Sequence, residues 1–199
     1  MHMIFPTVSK SRPEIVIRKK LSMPLPIECY VEAKVLPRAF LSLFKLVIYA
    51  RSSLIIAGPP GSGRTTLLRS ILYYLVPKTW KVIVIEDTGE IDPQPGSPST
   101  RYTTFELEAV KVDLFDLAEA SLRASGTRLS VVGETRGAEA KVLAQALLVG
   151  LGGLTSFRAS APEEVVSKFT APPVELAPSQ VGMLNYAIVM GYGVGRGDR

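Results

Sequence analysis

The chain has 199 residues, 47% apolar and 21% charged, which suits one folded domain with a sizeable core and excludes a disordered or fibrous protein. Cys29 is the single cysteine and His2, at the terminus, the single histidine. A disulfide framework, a cysteine metal site and a histidine base are thereby excluded, and a reducing, cytosolic setting is expected. The net charge of +5 gathers only at Arg18-Lys19-Lys20, so a solvated basic surface is favoured over a nucleic-acid face. The longest apolar stretch, Phe40 to Ala50, is too short to span a bilayer, and the N-terminus lacks the layout of a signal peptide.

Residues 1–36 carry Pro6, Pro13, Pro24 and Pro26 and one β-like run, Glu14–Arg18; they read as a lead-in segment, the remnant or end of an N-terminal domain. A core of residues 37–190 follows. Phe40, Leu41, Phe44, Val47 and Ile48 recur at helical spacing between Pro37 and Tyr49, with Pro37 suited to a first turn. A strand over Leu54–Ala57 leads through a glycine-rich turn into a helix over Arg64–Val76, which Pro77 stops. Lys81–Ile85 is a continuous apolar run of the kind buried on both faces of a parallel sheet. Residues 88–104, with Pro93, Pro95, Gly96 and Pro98, read as a surface loop.

Asp113 reads as the N-cap of a helix that buries Leu114, Leu117, Ala118 and Leu122. A strand over Arg128–Val132, a helix over Gly137–Val149 and a short strand over Gly153–Phe157 come next. Ser160-x-x-Glu163 spells a capping box before a helix containing Val165, Val166 and Phe169. A helix near Ser179–Tyr186, a strand near Ala187–Met190 and a loose tail, Gly191–Arg199, complete the chain. Strands alternating with helices argue a parallel α/β sheet with right-handed crossovers.

The chemistry gathers at the glycine-rich turn. Gly58-Pro59-Pro60-Gly61-Ser62-Gly63-Arg64-Thr65-Thr66 sits between an apolar strand and a helix, the setting in which backbone N–H groups curl around phosphate oxygens. Thr65 is the candidate magnesium ligand. Arg64 stands where a compact lysine ammonium would reach the β- and γ-phosphates, and its planar fork is not equivalent. Glu86 and Asp87 end one apolar strand and Glu134 another, where a parallel sheet delivers acids beside such a loop for metal and water.

These motifs, in this order, resemble the secretion and pilus motor ATPase superfamily of type II and type IV secretion, type IV pili and the archaeal flagellum. Gly58–Thr66 resembles its Walker A loop and Val84-Ile85-Glu86-Asp87-Thr88-Gly89-Glu90-Ile91 its Asp box. Val131-Val132-Gly133-Glu134-Thr135-Arg136-Gly137-Ala138-Glu139-Ala140 resembles its Walker B region, and Gly153 to Val165 its His box, in a spelling closest to the archaeal branch. The resemblance implies a RecA-like P-loop NTPase core with a mostly parallel sheet flanked by helices. It implies Mg-ATP bound at Gly58–Thr66, with Mg²⁺ on Thr65 and Glu134. Glu86 and Asp87 would polarise or position water, and Arg136 would act nearby or between subunits. It further implies a cytoplasmic hexamer, docked peripherally on a membrane platform protein, that powers assembly or export of a surface filament or secreted substrate.

Several positions depart from the family pattern. The Walker A lysine is Arg64, the His-box histidine is Arg158, the earlier glycine–histidine pair is Gly150-Leu151, and the Pro-Asp ahead of the Walker B strand is Gly126-Thr127. The N-terminal domain, beyond its last strand, and part of the C-terminal extension are expected to be missing. The alternative to an active motor is therefore a non-hydrolysing nucleotide-binding or assembly subunit on the same fold. A mobile-element or viral protein acting on nucleic acid is a weaker third reading, suggested by a pI of 9.4.

Overall fold

Apolar runs short enough to be strands, each followed by an amphipathic helix, resolve into a sheet with helices on both faces. The computed structural model describes residues 2–4, 14–16, 23–107 and 110–192. In chain order the elements are β1 (His2–Ile4), β2 (Glu14–Val16), α1 (Ile27–Glu32), α2 (Ala39–Tyr49), β3 (Ser53–Ala57), α3 (Arg64–Tyr74), β4 (Lys81–Glu86), β5 (Thr100–Thr103) and β6 (Phe105–Leu107). There follow β7 (Val110–Val112), α4 (Leu114–Leu122), β8 (Thr127–Thr135), α5 (Glu139–Leu148), β9 (Gly152–Phe157), α6 (Pro162–Thr170), α7 (Pro178–Val181) and β10 (Tyr186–Val189). Six strands in the order β10-β3-β9-β8-β4-β5 form the main sheet, with every neighbouring pair parallel. Two antiparallel pairs, β1–β2 and β6–β7, stand apart from it.

Side chains alternate across each strand, so the two sides of β3 enter different cores. Leu54 and Ile56 pack with Phe44, Val47 and Ile48 of α2 and Leu67, Leu68 and Ile71 of α3. Ile55 and Ala57 pack on the other face with Ala140 and Ala144 of α5 and Val165 and Phe169 of α6. With both faces covered, β3 is buried at every position, as a continuous apolar run requires. Because the strands are parallel, their C-terminal ends share one edge of the sheet, where β3, β4, β8 and β9 each deliver a polar segment. Among the described residues no helix is long and apolar enough to cross a membrane.

The α/β parallel-sheet expectation holds, and Asp113 caps α4 as expected, its Oδ1 accepting from the backbone of Phe115 at 2.8 Å and Asp116 at 3.0 Å. Several local expectations need correction. Residues 88–104 are not simply a surface loop: Thr100–Thr103 forms the edge strand β5, and Ile91 and Gln94 are buried. The helix expected near Ser179–Tyr186 stops after one turn at Val181, and Tyr186 already belongs to β10. Ser160 does not cap α6; the N-cap is Ala161 with Pro162 in the first turn. Helix α1 and the β6–β7 hairpin were not expected at all. Ile27 and Tyr30 of α1 and nearby Leu36 join the α2–α3 core. Arg18-Lys19-Lys20 and residues 193–199 of the expected loose tail lie outside the described residues.

Candidate functional site

The glycine-rich turn leaves the buried end of β3 and closes on the first turn of α3. Gly63 is the N-cap, at φ 88°, a left-handed conformation that glycine adopts without strain. Gly58 is required for space: a Cβ there would lie 2.4 Å from Ser62 Oγ and 2.6 Å from the Met190 carbonyl oxygen. Met190 N–H donates to the Ala57 carbonyl at 2.8 Å, so the segment after β10 backs the loop from behind. The Tyr192 hydroxyl donates to the Pro60 carbonyl.

The second side of the site comes from β4 and β8. Glu86 is 2% exposed; its carboxylate accepts from Glu90 N–H at 2.7 Å and Ile91 N–H at 3.1 and 3.0 Å, folding the chain after β4 back over the strand end. Gly133 permits this approach, since a Cβ there would lie 3.1 Å from Glu86 Cβ. The pairing of β8 with β9 shifts between Val132 and Thr135, a bulge that turns Glu134 toward the loop. Ser156 Oγ donates to the Gly133 carbonyl at 2.6 Å and Thr135 Oγ1 meets Thr155 Oγ1 at 2.7 Å, which pins the bulge.

Three arginines converge on Glu134. Its Oε1 accepts from Arg158 Nε at 2.6 Å and Arg64 Nη1 at 3.5 Å; its Oε2 accepts from Arg136 Nε at 2.7 Å and also from Arg136 Nη2. Arg136 Nη1 lies 3.4 Å from Asp87 Oδ2. Burial alone raises the Glu134 carboxyl, but Arg158 and Arg136 together outweigh it and hold the group below the usual carboxylate range. Burial lowers Arg64, opposed by the charge of Glu134, whereas the hydrogen bond to Glu134 raises Arg136.

The expected residues thus meet in one place. Pro60, Gly61, Arg64, Thr65, Glu86, Asp87, Glu134 and Arg136 all line a cleft of about 190 Å³. Gly58, Pro59, Ser62, Gly63 and Thr66 shape the loop and helix start beside it. A larger cleft, about 400 Å³, opens between the β6–β7 hairpin and the start of α4; it shares Asp87 but not the loop, so chemistry and not size picks out the smaller one. Sequence reasoning missed Arg158 as a site residue. It was visible only as a departure, and its position directly after β9 was the signal that could have placed it.

The loop fits a phosphate. Gly58 leaves no room for a side chain, Gly63 opens a helix N-terminus, and the Ser62 hydroxyl is buried without a hydrogen-bond partner. Magnesium fits less well. Among the described residues no group of three or more His, Cys, Asp or Glu is placed to hold a metal ion. The two oxygens of Glu134 already face four guanidinium N–H groups.

A parallel sheet with this loop at its C-terminal edge defines a P-loop protein of RecA-like ATPase fold. The chain belongs to the family described as "Type II/IV secretion system protein", whose model matches residues 3–177. An uncharacterised protein of Methanocaldococcus jannaschii is 31% identical over 163 residues, covering 81% of this chain and 59% of that protein. The conjugal transfer protein TrbB of Rhizobium radiobacter is 30% identical over 153 residues, covering 75% of this chain and 46% of that protein. The chain therefore spans about half the length of these relatives. The crystal structure of the VirB11 ATPase from the Brucella suis type IV secretion system, in complex with sulphate, superposes with a TM-score of 0.65 at 19% identity, over 90% of this chain and 62% of that one.

Proposed function

We propose that this chain is a nucleotide-binding core of the secretion and pilus motor type, which binds ATP at Gly58–Thr66 to power assembly or export of a surface filament or secreted substrate. The observation that carries the reading is the loop itself. It is a glycine-rich turn with a buried, unpartnered Ser62 hydroxyl, and its Pro60, Gly61 and Arg64 share one cleft with Arg136 and Arg158. The sulphate in the VirB11 structure supports an anion as the occupant of this fold. In this reading the backbone and Ser62 orient the phosphates, Thr65 lies beside them, and Asp87 and Glu134 position the arginines. Residues 37–190 form the working core, and the lead-in before it packs Ile27, Tyr30 and Leu36 against that core. The chain acts as a homo-oligomer, hexameric by the family pattern, at a membrane platform protein on the cytoplasmic side.

A second reading, binding without hydrolysis, is favoured by one observation: the carboxylate expected to serve the attacking water is occupied by arginines. One experiment addresses both. Titrate ATP in magnesium buffer into the wild type and Gly58→Ala, and measure phosphate release. The wild type binds, and the variant, whose Cβ would enter the loop, loses binding at least tenfold. An unbound wild type, or an unaffected variant, overturns the assignment; phosphate release that Glu134→Gln abolishes selects the hydrolysing form.

A further inference from the structure

The cleft is lined by three arginines and by Glu86, Asp87, Glu90 and Glu134. Counted together, these leave it one negative charge in excess, so a polyphosphate enters only if it brings a cation or takes the arginines away from a carboxylate. The geometry decides between the two. A carboxylate offers about four acceptor positions. Those of Glu134 face Arg158 Nε at 2.6 Å, Arg136 Nε at 2.7 Å, Arg136 Nη2 and, more loosely, Arg64 Nη1 at 3.5 Å. The Glu86 oxygens accept from the backbone of Glu90 and Ile91. Asp87 lies 3.4 Å from Arg136, and Glu90 is likewise not without a partner. A magnesium ion normally uses one or two carboxylates beside phosphate oxygens. To gain Glu134 it would have to break charged hydrogen bonds, and to gain Glu86 backbone ones, which leaves Asp87, 3.4 Å from Arg136, as the most open carboxylate of the set.

The arginines stand differently. Each guanidinium carries five donors and forks onto two oxygens of a phosphate as readily as onto a carboxylate. The Arg136 and Arg158 side chains are 52% and 56% exposed, so they turn onto an incoming anion without leaving a buried position. Glu134 then resembles a resident anion, holding the three cations where phosphates will lie.

We propose that in this chain the arginine trio takes the place of the metal: the terminal phosphates of a bound nucleotide displace Glu134 from Arg64, Arg136 and Arg158, and binding does not require magnesium. This rests on the assignment of Gly58–Thr66 as the phosphate loop. It assigns to Glu134 a role opposite to that of a metal ligand, and the two roles differ in the sign of one substitution.

The test is ATP titration by calorimetry, in magnesium and in EDTA, for the wild type, Glu134→Gln and Arg158→Gln, with circular dichroism to establish that each variant is folded. The expected wild-type affinity changes less than about threefold between magnesium and EDTA. E134Q, which removes the competing anion and keeps its size, tightens binding in EDTA about tenfold, and R158Q weakens it by a similar factor. A wild type that binds only with magnesium, or an E134Q that weakens binding in magnesium, overturns the proposal and leaves the nucleotide site standing. If E134Q does not fold, the wild-type comparison and R158Q decide alone. Absence of ATP binding by the folded wild type in both buffers overturns the phosphate-loop assignment and the proposal with it.

Discussion

Replacing Gln94 should destabilise the helix that presents the phosphate loop, although Gln94 touches neither the loop nor the cleft. Helix α3 ends at Tyr74, so its Tyr73 carbonyl is among the last that have no partner inside the helix, and only a longer helix would pair it with the N–H four residues on. That residue is Pro77, which has none. Gln94, 9% exposed, supplies the missing donor from across the sheet edge: its Nε2 donates to Val76 O at 2.9 Å and to Tyr73 O, with Leu72 O at 3.4 Å. With two amide hydrogens, two of these contacts count at about 0.5–1.5 kcal/mol each, and deletion also leaves buried carbonyls unpaired. Against this, Oε1 is itself buried without a partner, so its removal returns about 1 kcal/mol. Gln94→Ala should therefore cost about 2 kcal/mol in urea unfolding and lower Tm by roughly 4–8 °C for a domain of this size. Gln94→Glu sets a carboxylate against three carbonyl oxygens and should cost more at pH 7, part of it recovered on acidification as the acid gains a proton to donate. A Q94A loss below about 0.5 kcal/mol, or a Q94E protein as stable as the wild type at pH 7, would refute the capping argument.

Asp113→Ala removes the acceptor of the Phe115 and Asp116 N–H groups, leaving the other half of the α4 capping box (residue 113 N–H on Asp116 Oδ2) in place, and should cost about 1 kcal/mol, whereas Asp113→Asn, which keeps the acceptor, should cost less; equal losses in chemical denaturation would contradict this. Glu134 gives a pH test. Its folded pKa lies below the ordinary 4.5, so its stabilisation is fully present above that value and is lost as pH falls through the folded one. The stability advantage of the wild type over E134Q should hold at neutral pH and shrink below about pH 4.5; an advantage that stays constant or grows on acidification counts against the arginine cage.

What the sequence made legible is what burial dictates. Val82–Ile85 and Leu54–Ala57 are apolar at every position because helices cover both faces, and such runs declare themselves without a partner strand in view. Strand β5, Thr-Arg-Tyr-Thr, buries none of its residues fully and lies at the sheet edge. Its place is fixed by register with β4 and by the Thr104 N–H on the Glu86 carbonyl at 3.2 Å, neither of which leaves a period in the sequence. The lead-in misled through its prolines: Pro26 precedes α1, which it starts instead of forbidding. Ser160 and Glu163 have the spelling of a capping box, yet Pro162 begins the helix one residue later than that box requires.

The candidate site shows the same division. Loop and strand-end acids could be read singly, because each follows an apolar run that must end at the sheet edge. What they do to one another depends on strand order, and β9 lies between β3 and β8. That order brings Arg64, at the start of α3, and Arg158, just past β9, onto the same oxygen of Glu134, while Arg136 takes the other. In sequence, Arg64 and Arg158 are two unrelated departures, one in place of a lysine and one in place of a histidine. In the fold they are two donors to one carboxylate. A guanidinium at either position changes what Glu134 can do for the other, so the substitutions have to be explained together, and a change at one should be judged with the other in place.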